Sequence, residues 1–129
     1  MISIDTNIII RLLTGDDPAQ FKKAKALFEN ETIFITISVV LESEWVLRYA
    51  FQLKPLDIID AFLALFGLPN VKLEDEAVIF DAIEWHKLGL DFADAIHLAK
   101  SHNAQAFATF DKRLVKTAAR ITNRRLIEP

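Results

Sequence analysis

The chain has no cysteine in 129 residues, and only three glycines, three histidines and one methionine. Without thiols it can form neither a disulfide nor a thiolate metal site. It also lacks an apolar run of the roughly 18 residues that a membrane span needs, because Arg11, Glu42, Glu44, Arg48, Asp57 and Asp60 interrupt the candidates. The N-terminal apolar stretch contains Asp5 and has no basic lead-in, which argues against a secretory signal. Internal repeats, linkers and low-complexity segments are missing too. These absences point to a cytoplasmic chain with no membrane partner, and the length suits a single domain, residues 1–129, with a real core.

An excess of positive charge is also absent. The net charge of −3, taken alone, speaks against a nucleic-acid partner. Its distribution says something different. Residues 112–127 hold Lys112, Arg113, Lys116, Arg120, Arg124 and Arg125 with no acid, whereas the first 111 residues hold nine Lys and Arg against 17 Asp and Glu. A basic end on an acidic body can hold a phosphate backbone beside a site that wants cations. A solvated basic helix accounts for the charge equally well.

What is present is a regular alternation of β-type and helical patterns. Ile2 and Ile4 belong to a short strand whose break at Asp5 leads, through Thr6 or Asn7, into a helix carrying Ile8, Ile9, Ile10, Leu12 and Leu13. Asp17 and Pro18 start a second helix. Residues 32–36 read as a strand, and Ser38 is expected to cap the next helix, which carries Glu42 in about its first turn. A helix from Pro55 ends at Gly67, Val71 to Leu73 form a strand, and a helix from about Glu74 to Leu88 stops at Gly89. Asp91 caps a helix ending near His102, with Asn103 as a left-handed stop. Ala106 to Thr109 form a strand, residues 112–119 a helix, and Arg125 to Ile127 an edge strand. Strands separated by helices imply an α/β fold with a mostly parallel, about five-stranded sheet covered on both faces. Right-handed crossovers then place the C-terminal ends of the strands on one rim, where ligands bind.

Four acids are expected there. Asp5 and Asp111 follow strands, Glu42 lies early in a helix, and Asp94 is in the first turn of the helix capped by Asp91. Each has an ordinary explanation by itself, as a cap or turn residue. Glu42 is the most informative, because Val39, Val40, Leu41, Trp45 and Val46 surround it in sequence and a carboxylate partly buried among them is costly without a partner. Gathered together, four carboxylates repel unless protonated or bridged by a cation. With oxygen ligands only, that cation is Mg²⁺ or Mn²⁺, suited to hydrolysis of a phosphodiester by an activated water. Thr6, Asn7 and Thr109 are supporting polar candidates, although capping alone explains the first two. His86, His97 and His102 show no metal-ligand spacing.

The runs Ile4-Asp5-Thr6-Asn7, Ser38 to Trp45 with Glu42, Gly89 to Ala99 with Asp94, and Thr109-Phe110-Asp111-Lys112-Arg113-Leu114 resemble the successive motifs of PIN-domain proteins, most closely the VapC-type toxins of toxin–antitoxin pairs. The resemblance runs nearly end to end, and its specificity lies in the order and spacing of the motifs. It implies a PIN-like three-layer α/β/α sandwich and a Mg²⁺- or Mn²⁺-dependent endoribonuclease. It also implies Asp5, Glu42, Asp94 and Asp111 as the acidic metal and catalytic set, with Thr6, Asn7 and Thr109 beside them. The implied partners are RNA, a second copy of the chain and a small antitoxin. Lys112, Arg113 and Lys116 are the candidate RNA contacts. The aromatic residues Trp45, Tyr49, Phe51, Phe62 and Phe66 are an apolar surplus that a protein partner or a filled core would absorb.

Three alternatives remain in view. A haloacid-dehalogenase-type phosphatase needs a second acid two residues after Asp5, where Asn7 stands. A receiver domain needs an Asp after the third strand and an acid pair near the first, a pattern that fails here. A catalytically inactive PIN-like module that only binds RNA or a protein has no evident reason to keep four mutually repelling acids.

Overall fold

In the computed structural model, which describes residues 1–129, seven helices and five very short strands alternate along the chain. They group into two units, Met1–Asp75 and Glu76–Pro129.

The first unit is built on β1 (Ile2–Ser3), β2 (Ile33–Ile35) and β3 (Val71–Leu73), hydrogen-bonded in that order and parallel throughout. Ile33 stands opposite Ile2 on one side and Val71 on the other. Helices α1 (Thr6–Thr14) and α2 (Pro18–Asn30) connect β1 to β2, and α3 (Ile37–Tyr49) and α4 (Pro55–Phe66) connect β2 to β3. Parallel neighbours require such crossovers, and the β-branched run Ile33–Ile35 fits a strand buried on both sides. Ile9, Ile10, Ile33, Ile35, Leu47, Ile58 and Phe62 are fully buried, each contributing about 1.5–3 kcal/mol of burial. Helix α1 packs on α2 and α3, and α4 packs on α3 and β3.

The second unit contains α5 (Glu76–Lys87), α6 (Phe92–Lys100), β4 (Phe107–Ala108), α7 (Lys112–Ile121) and β5 (Leu126–Ile127). Its centre is the α5–α6 pair, with Ile79, Ala82, Ile83, Phe92, Ala95 and Ile96 buried. Gly89 adopts φ 118° in the turn between these helices, a backbone conformation that a side chain makes costly. β4 and β5 form a separate parallel ladder.

The expected sheet of about five strands is therefore corrected. All five strands form, and all pair in parallel, but as a three-stranded sheet and a two-stranded one. The reason is strand length: β4 and β5 span two residues each, and their ladder is held by the N–H groups of Phe107 and Thr109 donating to the Arg125 and Ile127 carbonyls. Smaller expectations change as well. Ile2 is exposed and only Ile4 joins the core. Helix α5 starts at Glu76, because Glu74 is used elsewhere, accepting from the Ile37 N–H at 2.9 Å. Asn103 is not left-handed, and α6 ends at Lys100 with Ser101 as its C-cap.

Candidate functional site

Asp5 sits where β1 gives way to α1, with extended backbone, and its Oδ1 accepts from the Ile8 N–H at 3.2 Å. It is a helix cap and an exposed carboxylate at once. A cap of this kind engages one oxygen and leaves the other able to take a ligand. Because β1, β2 and β3 are parallel, α3 leaves the sheet on the same rim as α1.

The cap of α3 is Thr36, whose hydroxyl accepts from the Val39 N–H at 3.4 Å, and not Ser38, which instead hydrogen-bonds the Thr36 hydroxyl at 3.1 Å. Starting at Ile37 puts Glu42 in the second turn of the helix rather than the first. There it is exposed, contrary to the burial its apolar neighbours in sequence suggest. The buried Thr6 hydroxyl donates a hydrogen bond to Glu42 Oε1. Asp5, Thr6, Asn7, Glu42 and Val46 line one cleft of about 310 Å³. On its other flank Asp5 borders a second cleft, of about 490 Å³, with Arg11, Gln20 and Lys23.

The buried carboxylate of α3 is Glu44, only 2% exposed. Arg48, one turn on, meets it with Nε–Oε2 2.8 Å and Nη2–Oε1 3.2 Å. Both partners lie on α3, so the pair neutralises a buried charge within the helix that carries Glu42. Its signal in the sequence is the Glu–Arg spacing of four.

In the second unit Asp91 caps α6, accepting from the Asp94 N–H at 3.2 Å, and Asp111 caps α7, accepting from the Leu114 N–H at 3.0 Å. The Thr109 hydroxyl accepts from the Asp111 N–H at 3.0 Å, which fixes the turn into α7. Asp94 is half-buried, and its pKa is raised above the ordinary 3.8, first by that burial and then by repulsion from Asp91 and Asp111, with His97 opposing. Asp94 and Asp111 thus share one electrostatic environment, and Asp91, the cap of α6, belongs to it as well. Lys112, Arg113 and Lys116 are exposed on the first turns of α7. His86 is structural. Its Nδ1 lies 2.6 Å from the Leu90 carbonyl oxygen and its ring stands edge-on to Phe92.

The structure thus brings Asp5, Thr6, Asn7 and Glu42 together in one unit, and Asp94, Thr109 and Asp111 into one region of the other. In neither unit does a group of three or more His, Asp or Glu close up around a metal position. The donor chemistry of each set, carboxylate and hydroxyl oxygen without thiol, fits a hard divalent cation. The PIN-domain family model matches residues 2–120. No curated protein matches the chain.

Proposed function

Since the chain belongs to the PIN-domain family, whose members are generally nucleases and typically use divalent metal ions, we propose that it is a Mg²⁺- or Mn²⁺-dependent endoribonuclease, the toxin of a toxin–antitoxin pair. The observation that carries this reading is the family match, which spans Asp5, Glu42, Asp94 and Asp111 together. In this reading residues 1–129 act as one PIN-like domain, and those four carboxylates hold the cation.

A bound divalent cation supplies charge neutralisation at the phosphate and acidification of the attacking water. The protein's own part is positioning. Thr6 holds Glu42 by donating to it, and Asn7 lines the same cleft with an amide able to orient a water or a phosphate oxygen. Thr109 fixes the backbone of Asp111. The raised pKa of Asp94, from burial and from repulsion by Asp91 and Asp111, marks a carboxylate whose charge a bound cation would offset. Lys112, Arg113 and Lys116 would bind the RNA backbone.

The partner assignments, a second copy of the chain and an antitoxin, draw support from exposed apolar side chains. Trp45, Tyr49 and Leu56 are 55%, 60% and 64% exposed, whereas Phe62 and Phe66 are absorbed by the core. A cytoplasmic location accords with this role, and no helix is long and apolar enough to cross a membrane.

The test is RNA cleavage by purified wild-type protein and by Asp5→Asn and Asp94→Asn variants in Mg²⁺ and Mn²⁺, with chelated controls and sequencing of the RNA ends. The expected result is defined ends from the wild type and a loss of about 100-fold or more in each variant. Variants that cut as fast as the wild type would refute the assignment. RNA binding without cleavage by any of the proteins would favour an inactive binding module.

A further inference from the structure

At the far end of α7 from Asp111 lies a groove that the proposed cleavage chemistry does not use. It has a volume of about 510 Å³ and is lined by Asp81 and Trp85 of α5 and by residues 119–124, including Arg120 and Arg124. We propose that this groove binds one unstacked nucleotide of a single-stranded RNA, with its base on Trp85 and its phosphate on Arg120; the RNA identity rests on the nuclease reading above.

Each part of the groove suits a part of a nucleotide. Trp85 is half-buried, so its ring is held in place while part of it faces the groove. An indole surface accepts any base by stacking, provided that base is not paired in a duplex. The Arg124 guanidinium lies 5.4 Å from the Trp85 ring centroid and is tied down by donation to the Leu98 carbonyl at 2.8 Å. It stands over the ring and covers one face of the indole, so the platform left to a base is the remaining ring surface together with the guanidinium plane. Thr122 accepts from the Arg124 N–H at 3.0 Å, which shapes the loop that forms the groove's wall. Asp81 is exposed at the groove and supplies a carboxylate acceptor for base amino groups. Arg120 is exposed and forms no ion pair, and the same is true of Lys112 and Lys116.

The placement on α7 links the groove to the rest of the site. Lys112, Lys116 and Arg120 recur every four residues, so they form one stripe along the helix. The stripe starts beside Asp111 and ends at the groove, a distance of about 12 Å at the α-helical rise. A phosphate backbone following it would leave Asp111 and reach Trp85 within a few nucleotides. An acidic peptide is the competing occupant. It would meet the same cations, but the Trp85 surface would go unused.

The experiment uses full-length protein carrying Trp45→Phe, so that Trp85 is the single tryptophan, in excess EDTA to prevent cleavage. The probes are a short single-stranded oligoribonucleotide of mixed sequence, the same strand in a duplex, and polyglutamate. The expected result is quenching of Trp85 fluorescence by the single strand and not by the duplex. Trp85→Ala should weaken single-strand binding about tenfold, and Trp85→Phe should retain most of it. Arg120→Ala, at an exposed position that leaves folding intact, should lower the slope of log affinity against log salt by about one. Unchanged Trp85 fluorescence at saturating oligoribonucleotide overturns the proposal, as does quenching by polyglutamate alone. Should Trp85→Ala fail to fold, the Trp85→Phe and Arg120→Ala measurements decide. If the wild type cuts RNA in Mg²⁺ while the groove variants bind normally, the groove is wrong and the nuclease reading stands. If the groove variants lose binding but no protein cuts RNA, the reverse holds.

Discussion

Replacing Arg48 with methionine keeps a long apolar stem and removes only the charge and its hydrogen bonds. Glu44 would then be left 2% exposed, without the Nε contact at 2.8 Å and the Nη2 contact at 3.2 Å. The hydrogen bond to Glu44 is the main reason that the Arg48 guanidinium is held above its ordinary range, against the opposing effect of its own burial. Removing one partner of a fully buried pair costs about 3–5 kcal/mol. The Arg48 side chain is 31% exposed, so solvent screens part of the interaction and the expected loss is about 2–4 kcal/mol. That is a large part of a total stability of about 5–15 kcal/mol. Urea denaturation at pH 7 should show a lower midpoint with an unchanged slope. The deficit should shrink as pH falls, because protonation discharges the stranded carboxylate. A Glu44→Leu/Arg48→Met double variant should recover most of the loss, since no buried charge then remains. A single variant within about 0.5 kcal/mol of wild type at pH 7, or a deficit independent of pH, would refute the claim that Arg48 compensates a buried Glu44 charge.

Three further outcomes are expected. Thr6→Val removes the donor to Glu42 while keeping its shape, so metal-dependent cleavage should fall about 10- to 100-fold and recover in Thr6→Ser, as read by initial rates at saturating Mg²⁺. The folded state favours protonated Asp94, because its pKa is raised above 3.8; that contribution is fully present below the unfolded value and lost as pH rises through the folded one. In EDTA, Asp94→Asn should therefore melt above wild type at neutral pH, with the gap closing below about pH 4. Gly89→Ala, at φ 118°, should cost about 1–3 kcal/mol from backbone strain, seen as a lower melting temperature even though the nearest side chain, Thr117, leaves room for a Cβ at 3.9 Å.

Much of the architecture was legible because it is written in local chemistry. Asp17 before Pro18, Asp91 three residues before Asp94, and Asp111 three before Leu114 cap their helices as their types and spacing require. Structure and sequence pattern part company where two residues could play the same part. Thr36 and Ser38 both qualify as caps, and only the path of the chain out of β2 selects Thr36. Glu42 and Glu44 both lie among apolar neighbours, yet residues two apart face different sides of a helix. Burial therefore falls on Glu44, and Glu42 is left at the surface, where Thr6 can reach it.

Local sequence carried the α/β class, a mostly parallel arrangement of strands, Asp5 and Asp111 after strands, Asp94 in a first helical turn, and the family to which the chain belongs. These rest on periodicity, capping chemistry and motif order, all of which act over a few residues. Only the tertiary structure decided how five strands divide into two ladders, which carboxylate of α3 is buried, that a threonine from α1 holds Glu42, and that Trp85 and Arg124 share a groove. Those outcomes depend on which distant backbone donors and side chains compete for the same partner, and such competition is settled by three-dimensional packing rather than by sequence spacing.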